Sequence, residues 1–562
     1  MRFFTVLFAG LLACCLNTAT AVRAAEPAGD FADLLDRHTR VMQPVVDYFN
    51  DNTVRIDYTE GDLETGDRIA YYWQQGMYRK EFRWATFTEV FGYDGQTHWH
   101  GSDYNLPRLL DEGGTADLTA QLVGYFAYLL PGYAQYIGPA PAEVPLELEE
   151  RYAVLSFTPP GMCEALILLD PLDLRLVGML QGNNHSLADA VVYSLTLYDD
   201  WSDYIVTWYP AVIRLERLSP SGEQLRERLI TTQDIQTIEP LPVTSFHPSS
   251  SPQLPQPELP EVPFEIRFGY RSDTVIIPCK DADGKSLRLE LDTGANVGLL
   301  RGDVARRRGL ELMSGGKITG HGGSAEVQYL RMEGVQLVGR DHAHEVEIPA
   351  YPAAVLLENS ALDDALGDKG VDGLLGNFLL HYFVVKIDFN RNLISLYPPE
   401  QFNPNEHLGK DYYAVPVVRD TMPYCEIVVD DVIHGGAFFN TGASHFLTLN
   451  AWAIDDAGVT YEIPTFGTGI TVHGETVFGI IHPGKVQLGE ITISNPATNL
   501  EVLAPGEAPN RNQIGSFGNA FFEDYAVTFD LFNGYYYIEG VHRGRTSDLL
   551  SRQPNSVRIV EE

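Results

Sequence analysis

Leu291-Asp292-Thr293-Gly294-Ala295 and Phe439-Asn440-Thr441-Gly442-Ala443 are the two stretches that decide the fold. Each is an apolar run that ends in a polar residue, a threonine and a glycine. Each has a glycine-bracketed apolar partner downstream: Gly373-Leu374-Leu375-Gly376-Asn377 for the first and Gly515-Ser516-Phe517-Gly518-Asn519 for the second. Asp292 precedes Asn377 by 85 positions, and Asn440 precedes Asn519 by 79. Repetition in matched order and spacing marks two copies of one structural unit. At the polar residue that ends the apolar run the copies differ, with a carboxylate in the first and an amide in the second.

Working outward, residues 275–278 are predicted to pair with 287–291 across the Asp283-Gly284 turn, so that the second strand delivers Asp292. A helix over 303–308 ends at Gly309. Gly320-His321-Gly322-Gly323 reads as a glycine-rich hairpin tip, and a further set of strands leads to Gly373. A helix near 378–382 and a strand over 384–389 follow. The second copy keeps this order. Strands over 414–418 and 427–432 lead to Asn440, residues 452–457 form a helix, and Gly467-Thr468-Gly469 with His473-Gly474 mark the matching hairpin. Residues 515–519 and 527–531 close it.

An Asp-Thr-Gly turn after an apolar strand, followed by an apolar-apolar-Gly strand, resembles the lobe of the aspartic peptidases, in particular their retropepsin-like branch. The resemblance covers roughly residues 264 to 540. It implies a mainly β fold with two tandem retropepsin-like acid-protease lobes, residues 264–400 carrying DTGA and a degenerate lobe, 401–545, carrying NTGA. It further implies a flap at Gly320, Gly322 and Gly323, and Asp292 as the catalytic carboxylate with Thr293 and Gly294 supporting it. Asn440 stands at the degenerate second position.

In such enzymes two carboxylates face each other and share one proton, because like charges about 3 Å apart cannot both ionise. The ionised member takes a proton from water, and the neutral member hydrogen-bonds the scissile carbonyl. Asn440 has nearly the shape of a protonated aspartate and its amide can donate to Asp292, but it cannot exchange a proton. Losing an acid–base partner costs about 10²–10⁴ in rate. Two readings therefore stand open: an exported aspartic-type endopeptidase that hydrolyses peptide bonds, with Asp292 activating water, and an inactive pseudo-peptidase that binds peptides or lipoproteins. Two assemblies stand open as well. Intrachain pairing gives a monomeric pseudo-dimer and is favoured by the effective concentration of lobes on one chain. A homodimer through residues 264–400 would bring two copies of Asp292 together.

Residues 246–263, FHPSSSPQLPQPELPEVP, form a Pro/Ser-rich linker without hydrophobic period. Before it, residues 25–245 read as an antiparallel meander with helices packed on it: a helix over 31–49, half-alternating runs at 53–58 and 69–73, a helical stretch over 118–130, and strands at 165–169 and 205–208. Phe91-Gly92-Tyr93-Asp94-Gly95 with Trp99, Leu168-Leu169-Asp170-Pro171, and the closing strand before Leu241-Pro242 and Phe246 resemble the half-barrel of LolA-like periplasmic lipoprotein carriers. That resemblance implies a lipid or acyl chain on a concave apolar face. A structural or substrate-docking module is the equal alternative. His98 and His100 share one face of a strand, but no third ligand accompanies them. The strand-spaced Asp341-His342-Ala343-His344 is read as a solvated face. No metal or cofactor is expected.

With 562 residues, the chain is long enough for three or four domains. Acidic residues number 76 against 39 basic ones, a formal charge of −37, which disfavours nucleic acid and anionic membrane surfaces as partners. Arg2, the apolar run Phe3 to Leu12 and small residues up to Ala25 predict a signal peptide over 1–24 and a periplasmic or otherwise extracytoplasmic protein. This is preferred to a lipoprotein anchor at Cys14. Cys163, Cys279 and Cys425 then remain, an odd and scattered set read as buried thiols rather than disulfides. Residues 546–562 form a C-terminal tail.

Overall fold

The computed structural model describes residues 31–539 apart from 61–66, 84–87, 104–105, 110–126, 130–133, 159–163, 183–192, 204–207, 249–256, 272–273, 314, 321–322, 333, 349–350, 357–359, 421, 472–473, 502–512 and 524. The expected signal peptide, Cys163, Gly322, the strand at 205–207, most of the helix at 118–130 and the C-terminal tail lie outside the described residues. The protein is mainly β, with large sheets and few helices. No described helix is long and apolar enough to cross a membrane.

The chain divides into two compact units, Met1–Asn52 with Glu112–Thr237, and Thr53–Asp111 with Ile238–Glu562. The expected domain 25–245 is thus shared between them. In the first unit the helix Phe31–Asp51 buries His38, Met42, Val45, Val46 and Phe49, a stripe at helical spacing. Seven antiparallel strands from Ile137–Pro139 to Gln224–Thr237 follow one another as a meander. Leu166, Leu168, Leu180, Leu195 and Leu218 gather in its core. His38 ties the helix down: its Nδ1 is 2.7 Å from Leu174 O and its Nε2 is 2.8 Å from the Tyr128 hydroxyl. Burial pushes this imidazole down to about 4.

The second unit opens with a six-stranded meander from Val54–Glu60 to Arg108–Leu109. The start of the expected linker and the residue before it dock on the meander, with Trp99 Nε1 donating to Phe246 O at 2.7 Å and Arg79 to Ser245 O at 3.0 Å. The end of the meander joins the tandem lobes. Leu106 N–H donates to His381 Nδ1 at 3.1 Å, and Arg108 pairs with Asp420.

Each lobe is built from the same steps. In the first, Thr274–Lys280 pairs with Ser286–Leu291, which runs parallel to Gly373–Leu375. In the second, Tyr424–Val429 pairs with Ile433–Phe439, which runs parallel to Gln513–Phe517. Gly373 and Gly515 sit where a Cβ would fall 2.1 Å from Leu299 O and 2.0 Å from Thr448 O. The glycine that opens each of these strands is therefore steric, since a Cβ there would strike a backbone carbonyl of the neighbouring strand. Phe264–Arg267, Leu393–Tyr397 and Val384–Asp388 of the first lobe join Ala526–Asp530, Tyr535–Glu539 and Tyr412–Val418 of the second in one run of strands. Its central pairing sets Val385 opposite Phe529 and Ile387 opposite Val527.

Three local expectations are corrected. The run at 427–432 is broken by a tight turn, with Asp430 and Asp431 at φ 50° and 62°, because short acids tolerate left-handed backbone. Asp341-His342-Ala343-His344 is a turn rather than a strand: Asp341 accepts from the backbone N–H groups of Ala343 and His344 and contacts His344 Nδ1 at 2.6 Å. The approach to Gly373 contains a helix, Ala361–Lys369, where only strands were expected. Its signals are a Ser360 cap accepting from Asp363 N–H and Gly370 at φ 72° beyond its end.

Candidate active site

The turns at Asp292 and Asn440 meet in one chain. Thr293 Oγ1 donates to Phe439 O at 2.7 Å and accepts from Thr441 N–H at 3.0 Å. Thr441 Oγ1 reciprocates, donating to Leu291 O at 2.6 Å and accepting from Thr293 N–H at 3.1 Å. Both threonines are fully or nearly fully buried. Four mutually satisfied bonds out of water form a rigid joint, since a buried donor left unmade costs about 1–3 kcal/mol.

The two functional side chains lie against each other's glycines. An ideal Cβ on Gly442 would fall 2.4 Å from Asp292 Cγ, and one on Gly294 would fall 2.4 Å from Asn440 Cγ. Neither glycine tolerates even a methyl group. Each functional oxygen is also held by its own turn: Asp292 Oδ1 accepts from Gly294 N–H at 2.8 Å, and Asn440 Oδ1 from Gly442 N–H at 2.9 Å. With Oδ1 so engaged, the Asn440 amide nitrogen is left as the donor to its surroundings. The strands hold the turns through Asp292 N–H to Leu375 O at 2.9 Å and Asn440 N–H to Phe517 O at 2.7 Å.

An asparagine follows the downstream strand of each lobe. Asn519 Nδ2 donates to Thr441 O at 2.7 Å, and Asn377 Nδ2 lies 3.6 Å from Met422 Sδ. Gly320 and Gly323 stand opposite each other at the end of the hairpin Gly315–Gly320 and Gly323–Met332. The matching hairpin of the second lobe ends with Thr471 opposite Gly474 and packs on the first-lobe helix Ala361–Lys369.

Three features near these turns went unread in the sequence. Glu290 is 2 % exposed and lies 3.4 Å from Lys369 Nζ. Burial raises its carboxyl to about 7, with Asp292 adding to the rise and Lys369 opposing it. In the second lobe His445 Nε2 lies 3.2 Å from Ser516 Oγ. The corresponding first-lobe residues, Val297 and Leu374, are apolar. His381 accepts from the meander, and burial drives it down to about 3. Glu290 had a readable signal, a charge alternating with Leu287, Leu289 and Leu291 on a strand that other strands flank on both sides.

The remaining candidates are structural. His98 Nδ1 bonds the Tyr78 hydroxyl at 2.8 Å, and His100 pairs with Glu89 at 2.8 Å and accepts from Arg108 at 3.1 Å. No group of three metal-ligating side chains occurs among the described residues. Cys279 and Cys425 are buried free thiols, the latter pushed up to about 12 by burial.

No protein-family model matches the sequence, and no curated protein matches it. Among solved structures the chain is similar to basic 7S globulin from soybean, with a TM-score of 0.30 and 11% identity, over 52% of this chain and 99% of that chain. At that level the likeness assigns neither family nor activity.

Proposed function

We propose that the protein is an aspartic-type endopeptidase of the retropepsin-like kind, in which Asp292 activates water and Asn440 replaces the second aspartate. The observation that carries this reading is the reciprocal threonine joint, which presses Asp292 and Asn440 against opposite glycines of one chain. Such a joint brings the two turns together within one chain, which supports the monomeric pseudo-dimer over the homodimer. Asp292 takes the proton of an attacking water. The Asn440 amide donates a hydrogen bond, the task of the neutral partner in the resting state. The substrate is an extended peptide or protein segment, and the signal-like residues 1–24 favour an extracytoplasmic place of action.

Asn440 itself favours a second reading, a pseudo-peptidase that holds peptides or lipoprotein tails without cutting them. Hairpin edges can take up a peptide as an extra strand, so binding outlives lost chemistry. Mature protein and Asp292→Ala, incubated with an unbiased peptide mixture across acid to neutral pH, separate the two. Cleavage lost in the variant establishes the peptidase. Retention of peptides without cleavage by either protein establishes the binder.

A further inference from the structure

Along the strand Ser286–Leu291, Leu287, Leu289 and Leu291 enter the lobe core. Arg288, Glu290 and, one step beyond the strand, Asp292 therefore share the other face. Same-face neighbours on a strand are about 6.6 Å apart. The ladder runs on past Leu291, because Asp292 N–H still bonds Leu375 O at 2.9 Å. Glu290 is thus the adjacent acid to Asp292 on its own strand, and it is 2 % exposed.

The surroundings of Glu290 hold one close cation. Lys369, in the last turn of the helix Ala361–Lys369, places Nζ 3.4 Å from Glu290 Oε2. Its neighbours across the sheet, Ile276 and Leu374, are apolar. The other charges nearby are directed elsewhere. Asp363 accepts from Gly302 N–H, Asp372 accepts from Arg288 N–H, and the Arg288, Asp364 and Asp368 side chains are exposed.

We propose that the ionisation of Glu290 is coupled to the charge of Asp292, two positions on along the same face, so that the interacting pair lies within the first lobe and Lys369 is the counter-ion of Glu290. A buried carboxylate beside a second carboxylate favours its neutral form, and one ammonium balances one charge of the two. The raised proton affinity of Glu290, to about 7 with Asp292 among its causes, agrees. The second lobe has no such pair: the same face of its strand presents Gly436, Phe438 and Asn440. Glu290 is here a positioning residue that acts through Asp292. The catalytic consequence rests on the peptidase reading, but the coupling of the two carboxyls does not.

The test follows the protonated-carboxyl infrared band that Glu290→Gln removes, between about pH 4 and 9. Asp292→Asn should lower the Glu290 midpoint by about one pH unit or more, and Lys369→Met should raise it. Both changes are close to isosteric or remote from the threonine joint, and thermal melts check that the fold persists. A midpoint that Asp292→Asn leaves in place overturns the proposal, whether or not the protein cleaves peptides. In a protein that does cleave, Glu290→Gln should also displace the alkaline limb of the kcat/KM profile. An unaltered profile overturns the proposal while the peptidase reading stands. Absence of cleavage with a shifted midpoint upholds the coupling and defeats the peptidase reading alone.

Discussion

In the first lobe, the strand that enters the centre carries Arg288, Glu290 and Asp292 on the face away from the core, whereas the matching strand of the second lobe carries Gly436, Phe438 and Asn440. What fixes the two turns is nonetheless common to both. Thr293 and Thr441 exchange bonds, Gly294 and Gly442 admit the opposite side chain, and Gly373 and Gly515 fit between strands. The comparison separates two roles that a symmetric pair of aspartates would merge. The joint between lobes needs hydroxyls and bare glycines from both sides, because its bonds are reciprocal. Charge is needed for chemistry alone, and here only the first lobe provides it.

The largest effects should come from changing that charge. Asp292→Ala should remove cleavage, and Asn440→Asp should raise the rate by about 10²–10⁴ by returning a second group able to exchange a proton. Both are read from kcat/KM on one peptide, and a rate unmoved by Asn440→Asp would break the comparison. Next comes a difference in pH response. The folded Glu290 carboxyl is raised from 4.5 to about 7, so the native state keeps a proton that the unfolded chain has already released. Stability should fall as pH rises through that window, by about 3 kcal/mol in order of magnitude. Glu290→Gln should flatten this fall in urea melts at either end of the window, and no change in the second lobe should do so.

Smaller effects probe the shared joint. Thr293→Val and Thr441→Val should each destabilise by about 1–3 kcal/mol, and by similar amounts, because each hydroxyl donates once and accepts once across the interface. Unequal losses in chemical denaturation would show that one lobe carries the joint. The smallest effect concerns Asn519. Asn519→Ala gives up a 2.7 Å bond to Thr441 O and should cost about 1 kcal/mol in the same denaturation measurement.

Much of this was legible along the chain. The repeat, the Asp283-Gly284 hairpin, the helix closed by Gly309 and the helix of residues 31–51 follow from patterns a few residues long. The misread segments share a cause. At 430–431 two aspartates adopt left-handed backbone, and at 341–344 Asp341 accepts from the backbone just beyond it; in both, a short acid makes the turn that interrupts an apolar or alternating run. Ser360 and Gly370 did announce a helix, but its apolar residues are few, Leu362 and Leu366 among them, too few to show a period.

The sequence by itself determined that this chain holds two copies of one module and that one copy lacks its carboxylate, because repetition and residue identity are properties of the string. Only the tertiary structure decided which turn meets which. It set Asp292 against Gly442 rather than in a lone loop, brought Leu106 to His381 from 275 positions away, and buried Glu290 beside Lys369. Those facts depend on distances between residues far apart in sequence. A carboxyl acquires its proton affinity from what surrounds it in space, and no local pattern records that.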